Sequence, residues 1–374
     1  MPFILPAFST ELFVNTKNNK KRGEMSPASK KISAASARAH TRGKIQSRSA
    51  SYSSAQFYRA AQPPPPNGPL ITSPRIKLSD GRHLAYLESG VPKEKANYKV
   101  IFIHGFDCCK FSVFPLSQGL IEELGIYQLS FDRAGYGESD PDPKKSERST
   151  ALDIEELADN MGLGSKFYVM GYSMGGEIAW TCLKYIPHRL AGVAIVAPVS
   201  NYWWPNFPPN VTREAYSKQF LQDQWAVGVA HYVPWLVYWW NSQKWFPSSS
   251  VIDHNPLICS PPDLRILASF EKTHNAAYTR QQGEFESLHR DMIVGFGSWE
   301  FDPMDLDNPF PNGEGSVHLW HGTEDFIVPA MLSRYISQKL PWVQYHEIAG
   351  AGHLFPLAGG MTDALFRKLL VGEP

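Results

Sequence analysis

The sequence predicts an α/β protein: a mostly parallel, eight-stranded sheet covered by helices on both faces, with a helical segment inserted between the sixth and seventh strands. Three observations carry this reading. Short, continuously apolar runs (KVIFIHGF, YQLSF, KFYVMGYS, AGVAIVAP) alternate with helical patterns, the texture of strands buried on both faces and joined by crossover helices. That texture stops at Asn201 and resumes near Ser316. The stretch between is crowded with tryptophan, tyrosine and proline, as in NYWWPNFPP and HYVPWLVYWWNSQKWFP.

In chain order, residues 1–73 form a leader. From Met25 to Ser79 there is no Asp or Glu, while Lys30, Lys31, Arg38, Arg42, Lys44 and Arg48 accumulate among Ser and Ala. Such a basic, acid-poor composition is that of an organelle transit peptide, with the chloroplast as destination, or of a disordered tail on a cytoplasmic protein. The proline run in AQPPPPNGPLITSP closes the leader as a stiff spacer, so the folded part begins at Pro74. RIKLSDGRHLAYLES alternates around Asp80 and Gly81 and predicts an opening antiparallel hairpin. Helical patterns follow in FPLSQGLIEELG, TALDIEELADNMGLG, MGGEIAWTCLKYI and, at the end, MTDALFRKLL. The core is thus residues 74–200 and 316–374. Residues 201–315 are a helical cap over the strand ends or, as the alternative, a separate domain with its own core.

Composition narrows the function. Thirty-six Lys plus Arg balance 36 Asp plus Glu, which offers no electrostatic case for nucleic acid. The four cysteines (Cys108, Cys109, Cys182, Cys259) include no CxxC pair and suggest neither disulfides nor a metal cluster. VPWLVYWW is far shorter than the roughly 20 residues a membrane span needs, so no transmembrane helix is expected and membrane contact is at most peripheral. Nothing in the sequence sets an oligomeric state.

GYSMG, Gly171 to Gly175, fits the G-x-S-x-G nucleophile elbow and falls where an apolar strand passes directly into a helix. In that sharp turn the residues two places to either side of the serine crowd one another, and glycine relieves the crowding while Ser173 projects its hydroxyl. A serine hydroxyl needs a base, and the base an orienting carboxylate. LWHGTEDFIVP supplies Asp325 just past one strand, and IAGAGHLFP supplies His353 just past the next. Asp302, Asp305 and Asp307 are the alternative acids. The oxyanion hole is expected from the backbone amides of Met174, next after the nucleophile, and Phe106, in FIHGFDCC. His104 reads as a residue that holds this loop. Asp107, Tyr172, Trp203, Trp204 and Trp239 are the candidate pocket residues, with several tryptophans expected to line an apolar acyl or aryl site.

Taken together, HGF (His104 to Phe106), DRAGYGES (Asp132 to Ser139), GYSMGG, GTED and GAGH resemble the α/β-hydrolase superfamily over Pro74 to Pro374. GVAIVAPVSNYWWP and GSKFYVMGYSMGGEIAWTCLKYIPHRL also resemble a plant group of α/β-hydrolase-fold proteins. The resemblance implies a serine hydrolase that cleaves an apolar acyl or aryl ester (carboxylester, lipid or related) through an acyl-enzyme, with no cofactor and no metal. It implies Asp132 and Arg133 as architecture. Epoxide hydrolases and haloalkane dehalogenases share the cap position but carry aspartate at the elbow, against which Ser173 counts. The alternatives are a small-molecule binding or receptor protein on the same fold, or an acyltransferase or thioesterase that uses the same residues.

Overall fold

The computed structural model describes residues 71–269 and 276–372. The leader's transit-peptide reading lies outside the described residues. β1 (Arg75–Lys77) and β2 (His83–Gly90) pair antiparallel with Ile76 opposite Leu84. Gly81, at φ 94°, donates its N–H to Leu78 O at 3.0 Å and closes the expected turn. The chain then runs through β3 (Tyr98–Ile103), α1 (Gln118–Leu124), β4 (Ile126–Phe131), α2 (Glu147–Asn160), β5 (Phe167–Tyr172), α3 (Met174–Tyr185) and β6 (Leu190–Val196). Among the described residues six helices follow without a strand: α4 (Pro209–Ser217), α5 (Leu221–Tyr232), α6 (Val237–Ser242), α7 (Pro261–Ser269), α8 (Ala276–Thr279) and α9 (Arg290–Gly295). β7 (Val317–Gly322), α10 (Ala330–Lys339), β8 (Val343–Ile348) and α11 (Met361–Val371) complete the chain.

The eight strands form one sheet in the order β1-β2-β4-β3-β5-β6-β7-β8, parallel from β4 to β8. Continuous apolar runs build it because alternate residues feed two cores. Ile101 and Ile103 of β3, Val169 of β5 and Val193 and Ile195 of β6 pack with Ile154, Leu157, Ile178, Leu332 and Ile336 of α2, α3 and α10. Val100 and Phe102, Met170, and Ala194 and Val196 face Leu120, Leu365, Phe366 and Leu369 of α1 and α11. A third apolar cluster joins the inserted helices (Ala226, Val229, Val237, Met292, Phe296) to Met174 at the start of α3 and Tyr136 in the loop after β4.

β3 has β4 on one side and β5 on the other, both parallel to it, so successive connections leave β3 and β5 in opposite directions. The crevice between those strand ends is where an open α/β sheet admits a ligand. Ile103 is registered with Gly171, so the loop beginning at His104 and the turn at Ser173 emerge side by side. No helix among the described residues is long and apolar enough to cross a membrane.

Candidate active site

Ser173 sits between β5 and α3 at φ 56°, ψ −118°, a conformation that L residues rarely adopt. The fold leaves it no alternative. Its N–H donates to Val196 O (2.9 Å), and its carbonyl accepts from Val199 N (3.1 Å), which ties the turn to the end of β6. A Cβ on Gly171 would lie 2.1 Å from Gly175 O, and one on Gly175 would lie 2.1 Å from Ile103 O. Both glycines are therefore demanded by backbone, which cannot move aside as a side chain can. Gly175→Ala is expected to destabilise the fold by roughly 1–3 kcal/mol, whereas Gly359→Ala, with nothing within 4 Å of the added methyl, should leave urea unfolding almost unchanged.

Beside the elbow, the loop after β3 is held by its own carbonyl. Gly105 O accepts from His104 Nδ1 (2.8 Å) and Arg133 Nη2 (3.0 Å). In a trans peptide the N–H of the next residue points opposite to that carbonyl, so the Phe106 amide is turned away from Arg133. His104 Nε2 accepts the Arg133 N–H at 3.1 Å, which assigns the ring proton to Nδ1. Burial first, and the Arg133 charge second, hold the His104 pKa well below its usual value, so the ring is neutral and serves as a strut. Arg133 is itself forked onto Asp291 just into α9 (2.9 and 2.6 Å), where Tyr136 Oη (2.7 Å) and Lys145 also converge. Asp132 accepts from Lys110 Nζ (2.9 Å) and Tyr278 Oη (2.8 Å). The DRAGYGES segment thus fastens the inserted helices to the sheet.

At the ends of β7 and β8 the structure brings Asp325 and His353 together, with Oδ2 2.7 Å from Nδ1. Asp325 Oδ1 accepts from the backbone N–H groups of Ile327 (2.9 Å) and Val328 (2.8 Å), so the carboxylate cannot rotate freely. Burial disfavours its charge, but His353 and His321 outweigh burial and hold its pKa well below the usual carboxylate range. Burial likewise depresses His353, yet Asp325, with a smaller contribution from Asp263, lifts its pKa above the ordinary histidine value. Tyr172 packs its ring on His353 (centroids 5.1 Å apart) and donates its hydroxyl to His353 O at 3.2 Å. This places the histidine against the residue preceding Ser173. No hydrogen bond joins Ser173 to His353 among the described residues. Two of the alternative acids are engaged elsewhere, Asp302 by Met304 N and Asn206 N (2.8 Å each) and Asp305 by Asn206 Nδ2 (2.8 Å), and Asp307 is exposed.

A narrow cavity of about 90 Å³ opens above Ser173, lined by Phe106, Met174, Val199, Tyr202, Met292 and Phe296 among others. Its wall also carries Ser200, Gln219 and Asp223. Among the described residues Ser200 Oγ and Gln219 Nε2 have no hydrogen-bond partner, so the site is amphipathic. None of the five expected pocket residues lines it. Asp107 is buried, but its carboxylate is consumed by Arg280 (2.8 and 2.7 Å). Tyr172 turns to His353. Trp203 stacks on His231 (4.0 Å) and donates Nε1 to Tyr232 Oη (2.8 Å), and Trp204 packs edge-on to Trp299 (5.1 Å) in the core under the sheet. Trp239 is on the surface, as are Trp235 (64% exposed) and Trp245 (78% exposed). These rings face outward or into structural packing: Trp239 lies on the short α6, whereas Trp203, Trp204 and Trp245 lie on irregular segments. Among the described residues no group of three or more His, Cys, Asp or Glu is placed to hold a metal ion.

Two residues beside the histidine go beyond the sequence expectations. His321 bridges Ser333 Oγ (2.8 Å) and Val328 O (3.0 Å) and lies 3.2 Å from Asp325 Oδ2. Asp263, at the start of α7, accepts from His353 N (3.0 Å) and Leu354 N (2.7 Å). The S-x-x-D pattern of SPPD announces a helix cap but not a partner 90 residues away.

Comparison with known proteins agrees with this architecture. The chain is 25% identical over 281 residues to abhydrolase domain-containing protein abhd-5.2 of Caenorhabditis elegans, covering 71% of this chain and 57% of that protein. It is 29% identical over 167 residues to epoxide hydrolase 4 of Mus musculus, covering 42% of each. The chain therefore spans about half the length of these relatives. Two solved structures share the fold: a thermophilic esterase from Thermogutta terrifontis (TM-score 0.50, 19% identity, 80% of this chain and 99% of that one) and an alpha/beta hydrolase fold protein from Chitinophaga pinensis (TM-score 0.53, 16% identity, 81% and 98%). The pattern of the alpha/beta hydrolase family matches residues 100–364, and the chain belongs to that family.

Proposed function

We propose that this protein is a serine hydrolase that cleaves an ester. Ser173 is the nucleophile, His353 its general base, Asp325 the orienting acid, and the amides of Phe106 and Met174 the oxyanion donors. The observation that carries the reading is the 2.7 Å contact of His353 Nδ1 with a carboxylate fixed by two backbone N–H groups, next to a serine on a strained strand-to-helix turn. With Nδ1–H committed to Asp325, the free Nε2 is the basic nitrogen. In the first half-reaction His353 takes the Ser173 proton as Oγ bonds to the carbonyl carbon, and returns it to the departing alcohol. Water then repeats the sequence on the acyl-enzyme and regenerates the serine. Met174 is the first residue of α3, where helix amides have no intrahelical acceptor, and Phe106 shares its wall of the cavity.

The apolar part of the wall suits an acyl or aryl group, and each additional buried methylene is worth about 0.8 kcal/mol. The test is active-site labelling with a fluorophosphonate, followed by kcat/KM across p-nitrophenyl esters from acetate upward. Labelling at Ser173, with efficiency rising with chain length until the cavity is full, is the expected result. No labelling and no turnover on any ester would reject the hydrolase reading in favour of a binding protein.

A further inference from the structure

We infer that Asp263, on the inserted segment, is a positioning residue for His353: its carboxylate fixes the backbone that carries the base and sets a second negative charge beside the imidazole. The inference rests on His353 being the base. Asp263 is fully buried in the first turn of α7. Oδ2 accepts from Ser260 Oγ (2.9 Å), Ser260 N (3.3 Å) and His353 N (3.0 Å), while Oδ1 accepts from Leu354 N (2.7 Å). Every one of these donors is neutral, and no Lys or Arg bonds the carboxylate among the described residues. Capping α7 needs only the Ser260 bonds. The two bonds to His353 and Leu354 do something else, since they pin consecutive amides of the loop that presents the base.

Gly352 shows how closely the two segments meet. A Cβ there would lie 2.2 Å from Ser260 Oγ and 2.3 Å from Asp263 Oδ2, so any side chain before His353 would push α7 away. The start of α7 therefore packs directly on the loop that carries His353, and Asp263 bonds two of its amides. Four groups face His353: Asp325 at Nδ1, Tyr172 against the ring and the carbonyl, Asp263 at the N–H, and His321 through its contact with Asp325. Of the two carboxylates, Asp325 raises the His353 pKa more and Asp263 adds to it, against burial.

The experiment compares Asp263→Asn and Ser260→Ala with the parent, by kinetics and by NMR titration of the His353 ring. Asp263→Asn removes the charge and turns an NH₂ toward backbone donors. It should lower kcat/KM by about 10- to 100-fold, mostly in kcat, as small misplacements of a catalytic group do. The His353 titration and the acid limb of kcat/KM should both move to lower pH. Ser260→Ala keeps the charge and both backbone bonds, and should stay within a few-fold of the parent with an unshifted titration. A folded Asp263→Asn protein with parental rate and titration would overturn the inference. Equal loss and equal shift in both variants would overturn it too, because capping alone would then explain the effect. Should Asp263→Asn fail to fold, amide exchange of the parent decides: His353 and Leu354 N–H should be as protected as the first turn of α7, and rapid exchange at either rejects the bonds. The titration needs no substrate, so it reports on Asp263 even if no ester is cleaved. An active parent with an unmoved variant sinks only this inference.

Discussion

Ser173→Ala is expected to abolish ester hydrolysis while leaving the protein folded. The contributions of residue 173 to the fold are made by its backbone. Its N–H holds Val196 O (2.9 Å), and its carbonyl accepts from Gly176 N (2.9 Å), Glu177 N (3.2 Å) and Val199 N (3.1 Å). The hydroxyl makes no capping bond to α3 and faces the cavity, so an alanine methyl fits the same space and keeps the same turn. What is lost is the oxygen proposed to form the acyl bond. Loss of the nucleophile in such a constellation typically costs several orders of magnitude in kcat, with a residual acceleration from binding and oxyanion donors. Thermal unfolding should be near parental, and fluorophosphonate labelling should vanish. Turnover within a few-fold of the parent on an ester the parent cleaves would sink the nucleophile assignment.

Much of the fold was legible in the sequence because it is written in strands. The runs of β3, β5 and β6 are continuously apolar where they cross the sheet centre, since Val100 and Ile101, Val169 and Met170, or Ile195 and Val196 face different cores, and that double burial implies parallel neighbours and crossover helices. Once the strands are placed, their ends are placed too, and Ser173, Asp325 and His353 fall at strand ends in chain order. The cavity wall was not legible. Tyr202, Met292 and Phe296 line it while the adjacent Trp203 and Trp204 turn elsewhere, because in irregular loops and short helices sequence spacing does not say which face a ring takes. α10 also lacks a strong signature: its buried stripe is little more than Leu332 and Ile336. Asp263 belongs to the same class, a local helix signal whose second use depends on a tertiary contact.

Replacing Asp325 by Asn should be nearly as damaging as losing the serine, for a reason that the hydrogen bonds around it dictate. Oδ1 accepts from two backbone donors, Ile327 N and Val328 N, at 2.9 and 2.8 Å. An asparagine at this position must keep its carbonyl oxygen there, since an NH₂ would confront both N–H groups. Its NH₂ is then forced to the Oδ2 position, facing His353 Nδ1, where the parent has an acceptor 2.7 Å away. Nδ1 must accept instead of donate, so the ring proton moves to Nε2 and the base presents an N–H to Ser173 when it should present a lone pair. The wrong tautomer, together with the lost charge that stabilises the imidazolium, costs about 10⁴-fold in kcat in enzymes built this way. The carboxylate also lifts the His353 pKa, so whatever activity survives should have its acid limb at lower pH than the parent. Asp305→Asn is the matched control. Among the described residues that carboxylate accepts only from Asn206 Nδ2 at 2.8 Å, and its loss should change kcat/KM by no more than a few-fold. Comparable losses at both positions would mean that the orienting acid has been misplaced, and an Asp325→Asn protein at parental rate would remove it from the mechanism.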